Sequence, residues 1–232
     1  MNSAEHVAGL LDAAGALDRA ARARVGQRRA LLAVLVFGGL RIGEALALRW
    51  ADVDLARGVL HVRASKTQAG VRMVPMLPAL RDELSSYAAA ARGDGLVFGT
   101  STGGPQGATN VRRRVLAKAI EIANEKLAKA AVEPIPATLT PHSLRRTAAS
   151  IWFAVGETPP AVMAALGHRT AAVTLGIYAR EMQRRDGEPE RLRALVEGRD
   201  WTVIGQRMGS GDDTEGAQTA DEALSGHEKS PR

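Results

Sequence analysis

The chain has 232 residues, 45% of them hydrophobic but only 3% aromatic, so it can build one domain or two small ones around a core of Leu, Val and Ala. It contains no cysteine, which excludes disulfides, thiolate metal sites and a cysteine nucleophile. The net charge of +6 is uneven: residues 1–180 carry 23 Lys and Arg against 13 Asp and Glu, while residues 181–232 carry 8 against 12.

A basic body suits a polyanionic partner such as DNA, although 26 of the 31 basic residues are Arg, which a coding bias would also produce. No run of about 18 apolar residues could span a membrane, and no secretory signal is visible, so the expected location is the cytoplasm.

Residues 1–25 are rich in Ala and Arg, with Val7, Leu10 and Leu11 as their apolar positions, and read as a linker or one short helix. Residues 28–37 form a strongly apolar helix that stops at Gly38 and Gly39. Arg41 opens the next helix with Glu44 on the same face. Taken alone, that pair is a surface contact worth about 0.2–0.5 kcal/mol.

Between residues 51 and 76 the apolar period changes to roughly two, through Val53 and Leu55, then Val59 to Val62, then Val71 to Val74. This pattern predicts a small three-stranded antiparallel sheet, with Lys66 on its last hairpin. An edge lysine in such a place is ordinarily solvated and discourages sheet aggregation.

Residues 77–91 return to helix, with Leu80, Leu84 and Tyr87 on one face. A short buried run at residues 96–98 and a Gly-rich loop at 99–107 lead to a long helix over 109–131. Its Arg112, Arg113, Arg114 and Lys118 either track phosphates or form a charged solvent face.

The stretch from Thr140 to Tyr178 is the most informative. Thr140 suits an N-cap and Pro141 the first helical position, so a helix is predicted from about residue 142 to 155. Leu144, Ala148, Ile151, Trp152 and Val155 form its apolar stripe, and His142 and Arg145, three apart, share another face.

Gly156 stops this helix. Thr158 and Pro159 open the next one, which ends at Leu166-Gly167-His168 with Gly167 as a left-handed cap. Residues 171–177 read as too short for a robust helix and broken by Gly176, which leaves Tyr178 on a weakly held element. A final helix over 189–196 has Leu192, Leu195 and Val196 inside, and residues 199–232 read as a flexible acidic tail.

The ordered set Arg41, Lys66, His142, Arg145, His168 and Tyr178 resembles the catalytic domain of the tyrosine recombinases, the phage integrase family. The resemblance covers about residues 28–196 and is carried by Gly39-Leu40-Arg41, by His142 to Arg145, by Leu166-Gly167-His168 and by Tyr178. It implies a mainly α fold with a small three-stranded antiparallel sheet, in a catalytic domain over residues 26–198.

The function it implies is site-specific recombination or integration, in which DNA is cleaved and rejoined through a 3′-phosphotyrosine intermediate. Arg41 and Arg145 would fork onto phosphate oxygens, since a guanidinium donates paired hydrogen bonds in a fixed plane. His168 would be a third donor, Tyr178 the nucleophile with help from His142, and Lys66 the general acid for the departing 5′ hydroxyl.

No cofactor and no metal are expected. His142 and His168 are far apart in sequence, and no His-x-x-x-His or His-Glu-x-x-His pattern occurs. The expected partner is double-stranded DNA, with self-association into a tetramer on it. Relaxation of the type IB topoisomerase kind and a non-catalytic DNA-binding remnant are the alternatives.

Family members usually carry a helical N-terminal domain of roughly a hundred residues that closes around DNA. The expectation from this sequence is an isolated catalytic domain, or a short member, that holds DNA from one side. By the same resemblance the helix over 189–196 packs on a neighbouring protomer, or else covers its own core.

Overall fold

The computed structural model describes residues 3–21, 27–63, 71–91, 94–168, 171–182 and 187–197. Lys66 and the tail lie outside the described residues, which belong to one unit, Met1–Asp200. Among the described residues no helix is long and apolar enough to cross a membrane.

The N-terminal segment forms helix α1, Ala4–Ala20, opened by Ser3, whose side chain accepts from the His6 N–H. Its Val7, Leu10, Leu11 and Ala14 are buried, because α1 packs against α2, Gln27–Val36, and against the later helix α6, Ala117–Lys129. The start of α2 is held by buried Asp18, whose carboxylate accepts from the N–H groups of Arg28 and Arg29 at 3.0–3.1 Å. These are donors that the start of α2 cannot satisfy internally.

Helix α2 is buried from Ala30 to Val36 and packs on α4, Pro78–Ala90, and α7, Pro141–Ala154. Between α2 and α4 lie the short helix α3, Ile42–Ala47, and strands β1, Val53–Asp54, β2, Val59–Val62, and β3, Arg72–Pro75. The sheet is antiparallel in the order β1-β2-β3, with Leu60 opposite Val74 and Val62 opposite Arg72. Leu60, Val62 and Val74 face inward, as the two-residue period requires.

The long helix runs from α5, Ala108–Asn110, through a π-helical segment, Val111–Leu116, into α6. That widened segment carries Arg112, Arg113 and Arg114, all exposed.

The last four helices are α7, α8, Pro159–Leu166, α9, Ala171–Met182, and α10, Glu188–Val196. One of them departs from sequence expectation. Helix α9 is continuous through Gly176, where a Cβ would meet nothing within 4 Å. Its inner side holds buried Thr174 and Ile177 against α7 and α8, and this packing outweighs the roughly 1 kcal/mol that a helical glycine costs.

Helix α10 packs on its own chain, against α7, α1 and α4, and buries Leu192, Ala194 and Val196. Its apolar face is therefore covered in cis.

Candidate active site

Helix α7 begins as its sequence requires: Thr140 accepts from the Ser143 N–H at 3.2 Å and Pro141 occupies the first turn. Leu144, Ala148, Ile151 and Trp152 of its apolar stripe are buried, and Trp152 donates from Nε1 to the Phe37 carbonyl at 2.7 Å, tying α7 to the end of α2. His142 is exposed in the first turn, whereas Arg145, one turn on, points inward and is only 2% exposed.

Buried Arg145 is accommodated by carbonyls. It donates from Nη1 to the Gly39 carbonyl at 2.6 Å and from Nη2 to the Leu166 carbonyl. Burial, and then the charges of Arg41 and Arg72, draw its pKa down to about 10, so it remains a cation at neutral pH.

Gly39 allows this arrangement. It adopts φ +61°, and a Cβ there would sit 2.3 Å from Leu166 Cδ2 and 3.0 Å from the Ala148 Cβ. Only glycine lets the turn after α2 pass this close to α7 and α8.

Arg41 caps α3 and reaches in two directions. Its own N–H and its Nη1 donate to the two oxygens of Glu44 at 2.8 and 2.7 Å, and Nη2 donates to the Gly167 carbonyl at 3.1 Å. Its side chain is 47% exposed, so it presents its charge to solvent.

Glu44 is also held by Arg72, which donates through Nη1 and Nη2 to its two oxygens at 3.1 and 2.9 Å. Burial would raise the Glu44 pKa, but the hydrogen bonds from Arg72 and Arg41 outweigh it and hold the carboxyl below its ordinary range. Arg72 itself, 7% exposed, donates from Nε to the Ala165 carbonyl at 2.6 Å.

Three consecutive carbonyls at the end of α8 therefore each receive a guanidinium. Ala165 takes Arg72 from β3, Leu166 takes Arg145 from α7, and Gly167 takes Arg41 from the start of α3. This is the negative end of the helix, with carbonyls that have no partner within it. Three guanidiniums meet one carboxylate here, which leaves an excess of positive charge.

Gly167, at φ +62°, ends α8, and the His168 N–H donates back to the Met163 carbonyl at 3.1 Å. The His168 ring is thereby placed just beyond the three arginines, and its Nδ1 lies 2.8 Å from Oγ1 of Thr174. Burial, followed by the charges of Arg145 and Arg41, lowers its pKa to about 4, so the imidazole is neutral at neutral pH.

Tyr178 is half-buried on α9, one turn after Thr174, with its ring edge-on to Phe153 of α7 at 5.1 Å.

The fold thus brings Arg41, Arg145 and His168 into one cluster. Tyr178 stands on the helix that touches His168, and His142 is exposed in the first turn of α7, one turn before Arg145. Lys66 lies outside the described residues. Sequence reading missed Arg72 and Thr174. Thr174 precedes Tyr178 by one helical turn, a spacing that could have flagged it, but nothing local marks Arg72. Among the described residues no cluster of three or more His, Cys, Asp or Glu could hold a metal.

Comparison with known proteins agrees with this architecture. The family model described as the phage integrase family matches residues 6–185. The tyrosine recombinase XerC of Rhodospirillum centenum is 31% identical over 178 residues, 74% of this chain and 48% of that protein. XerC of Methylobacterium sp. (strain 4-46) is 33% identical over 149 residues, 62% of this chain and 43% of that protein. The chain spans less than half the length of these curated relatives.

Among solved structures, XerA recombinase superimposes with a TM-score of 0.57 at 23% identity, over 82% of this chain and 60% of that one. A lambda integrase dimer bound to a COC′ core site gives 0.55 at 19% identity, over 79% and 60%. These two likenesses concern the fold: a mostly helical domain with a small antiparallel sheet. The matched residues include the turn that carries Arg41, the helix that carries Arg145 and the helix that carries Tyr178, and on this match the chain belongs to the phage integrase family, the tyrosine recombinases.

Proposed function

We propose that this chain cleaves and rejoins double-stranded DNA in site-specific recombination or integration, through a covalent 3′-phosphotyrosine intermediate. The observation that carries the proposal is the convergence of Arg41, Arg145 and neutral His168 at the end of α8, beside the helix that bears Tyr178.

A phosphodiester under attack gains negative charge on its non-bridging oxygens. Arg41 and Arg145 each use one hydrogen of each terminal nitrogen on protein acceptors, which leaves the second hydrogen of each to fork onto phosphate. These cations are positioned before the substrate arrives, so no reorganisation is required as charge develops. His168 adds a neutral donor.

In the step itself the Tyr178 oxygen bonds to phosphorus and the bond from phosphorus to the 5′ oxygen breaks. The phenol proton passes to His142, and Lys66 protonates the departing oxygen. The free 5′ hydroxyl reverses the step on the same or another strand, so rejoining requires neither a nucleotide nor a metal. Exposed Arg112, Arg113 and Arg114 on the π-helical segment supply further phosphate contacts. Assembly into a tetramer on DNA in the cytoplasm completes the proposal.

The relatives support this reading. XerC proteins are named tyrosine recombinases, and solved structures of similar fold include integrases in complex with DNA. The test uses a nicked duplex built from DNA flanking the gene, run on a denaturing gel. The protein should form a covalent 3′ adduct and Tyr178→Phe should bind the same duplex without forming one. An adduct with Tyr178→Phe would reassign the nucleophile. Relaxation of a supercoiled plasmid lacking paired sites would favour topoisomerase-like action, and binding with no adduct from the unaltered protein would favour a DNA-binding remnant.

A further inference from the structure

We propose that Thr174 is a positioning residue: its hydroxyl donates to Nδ1 of His168, which keeps the ring's one proton on Nε2 for the scissile phosphate and locks the Tyr178 helix to the phosphate site. The inference rests on the function proposed above and deepens it.

The geometry begins with the backbone of His168, which is fixed from its N-terminal side. Arg145 and Arg41 hold the carbonyls of Leu166 and Gly167, the two residues before it, and its own N–H is bonded to Met163. What remains free is rotation of the ring and the choice of protonated nitrogen. Thr174 addresses both, since its Oγ1 lies 2.8 Å from Nδ1 and its side chain is fully buried.

A neutral imidazole has one N–H, and the nitrogen that accepts a hydrogen bond cannot also donate. If Thr174 donates to Nδ1, the proton must sit on Nε2. Because burial and neighbouring guanidiniums keep the ring neutral down to about pH 4, it cannot serve as a double donor at neutral pH. Its usefulness to a phosphate therefore depends on which nitrogen carries the proton.

The second consequence is mechanical. Thr174 and Tyr178 are four residues apart on α9 and so share a face of it. A displacement of α9 that withdrew Tyr178 would also pull the hydroxyl from His168 and release the ring. The nucleophile and the phosphate donor are thereby set together or lost together.

The full chain, with histidine labelled with nitrogen-15, reports the tautomer directly without any substrate. His168 is assigned by the disappearance of its signals in His168→Gln. At neutral pH the wild-type ring should be protonated on Nε2 and not on Nδ1. A proton on Nδ1 overturns the inference, and this holds even if the chain forms no DNA adduct and the proposed function fails.

Single-turnover adduct formation then tests the role. The probe is a nicked duplex from the gene's flanking DNA with sulfur in place of the leaving 5′ oxygen, so that weak variants stay measurable. Thr174→Val keeps the branched shape and should slow adduct formation about 10- to 100-fold, the range seen when the outer hydrogen bond that orients a metal-binding histidine is removed. Thr174→Ser should restore the rate to within about 3-fold, since it keeps the donor.

In a His168→Gln background Thr174→Val should cost less than about 2-fold, because two residues acting as a unit are not additive. A wild-type rate for Thr174→Val, a Thr174→Ser variant as slow as the valine variant, or an undiminished loss in the His168→Gln background would each overturn the assignment.

Discussion

Gly39 passes so close beneath Leu166 that an added methyl group would stand 2.3 Å from Leu166 Cδ2, while the Gly39 carbonyl accepts a hydrogen bond from Arg145. The two residues are far apart in the chain, and their near-contact joins the turn that presents Arg41 to the helix end that presents His168. Gly39→Ala should therefore do two kinds of damage. Overpacking and a strained φ should lower stability by about 3 kcal/mol in chemical denaturation. Adduct formation should also fall at temperatures where the variant is fully folded, since the carbonyl that orients Arg145 is displaced. A variant with unchanged stability would refute the tight packing of this turn.

Arg41→Lys and Arg145→Lys retain the charge but not the fork. A lysine cannot bond a phosphate and two protein acceptors in fixed directions, so each variant should lose about 100-fold or more in single-turnover cleavage. DNA binding should change far less. Because the proposed chemistry draws on guanidiniums, EDTA should leave cleavage by the purified protein unchanged, and an EDTA-sensitive reaction would count against the mechanism.

Acid should destabilise the fold through His168 and Glu44. The folded His168 pKa lies below its ordinary value of 6.5, at about 4, so between those values the unfolded chain takes up a proton that the folded ring refuses. This contribution is fully present above about pH 6.5 and is lost as pH falls toward 4. Glu44 is likewise held below its ordinary value by Arg72 and Arg41 against the effect of burial, so its contribution is lost as pH falls through the folded value. Denaturation midpoints at about pH 7.5 and about pH 4.5 should differ, and His168→Gln should reduce the difference. An unaltered difference in that variant would mean that the ring does not resist protonation.

Helix α10 covers its own core, with Leu192 and Val196 each 1% exposed. Leu192→Ala should thus cost about 2 to 4 kcal/mol in the isolated chain. Thermal melts at several protein concentrations distinguish this from exchange between protomers. A penalty that appears only at high concentration would place the helix on a neighbour.

Local structure was legible in the sequence wherever the determining groups are close in the chain. Thr140 and Pro141 announce α7, Gly167 announces the end of α8, and the change of period announces the sheet, because caps, turns and strand alternation are satisfied within a few residues. The resemblance also selected Arg41, Arg145 and His168, which the fold brings into one cluster.

What only the tertiary structure decided is how that cluster is held. Arg41 meets Gly167 across 126 positions, Arg72 meets Ala165 across 93, and Arg145 meets Leu166 across 21. The end of α8 is marked locally by Gly167, but which guanidiniums reach its carbonyls, and the close approach of Gly39 to Leu166, have no local signature. The continuity of α9 through Gly176 and the placement of Thr174 against His168 were hidden for the same reason. Helix propensity is a sum of small local preferences, and burial of Thr174 and Ile177 against α7 and α8 overrides it.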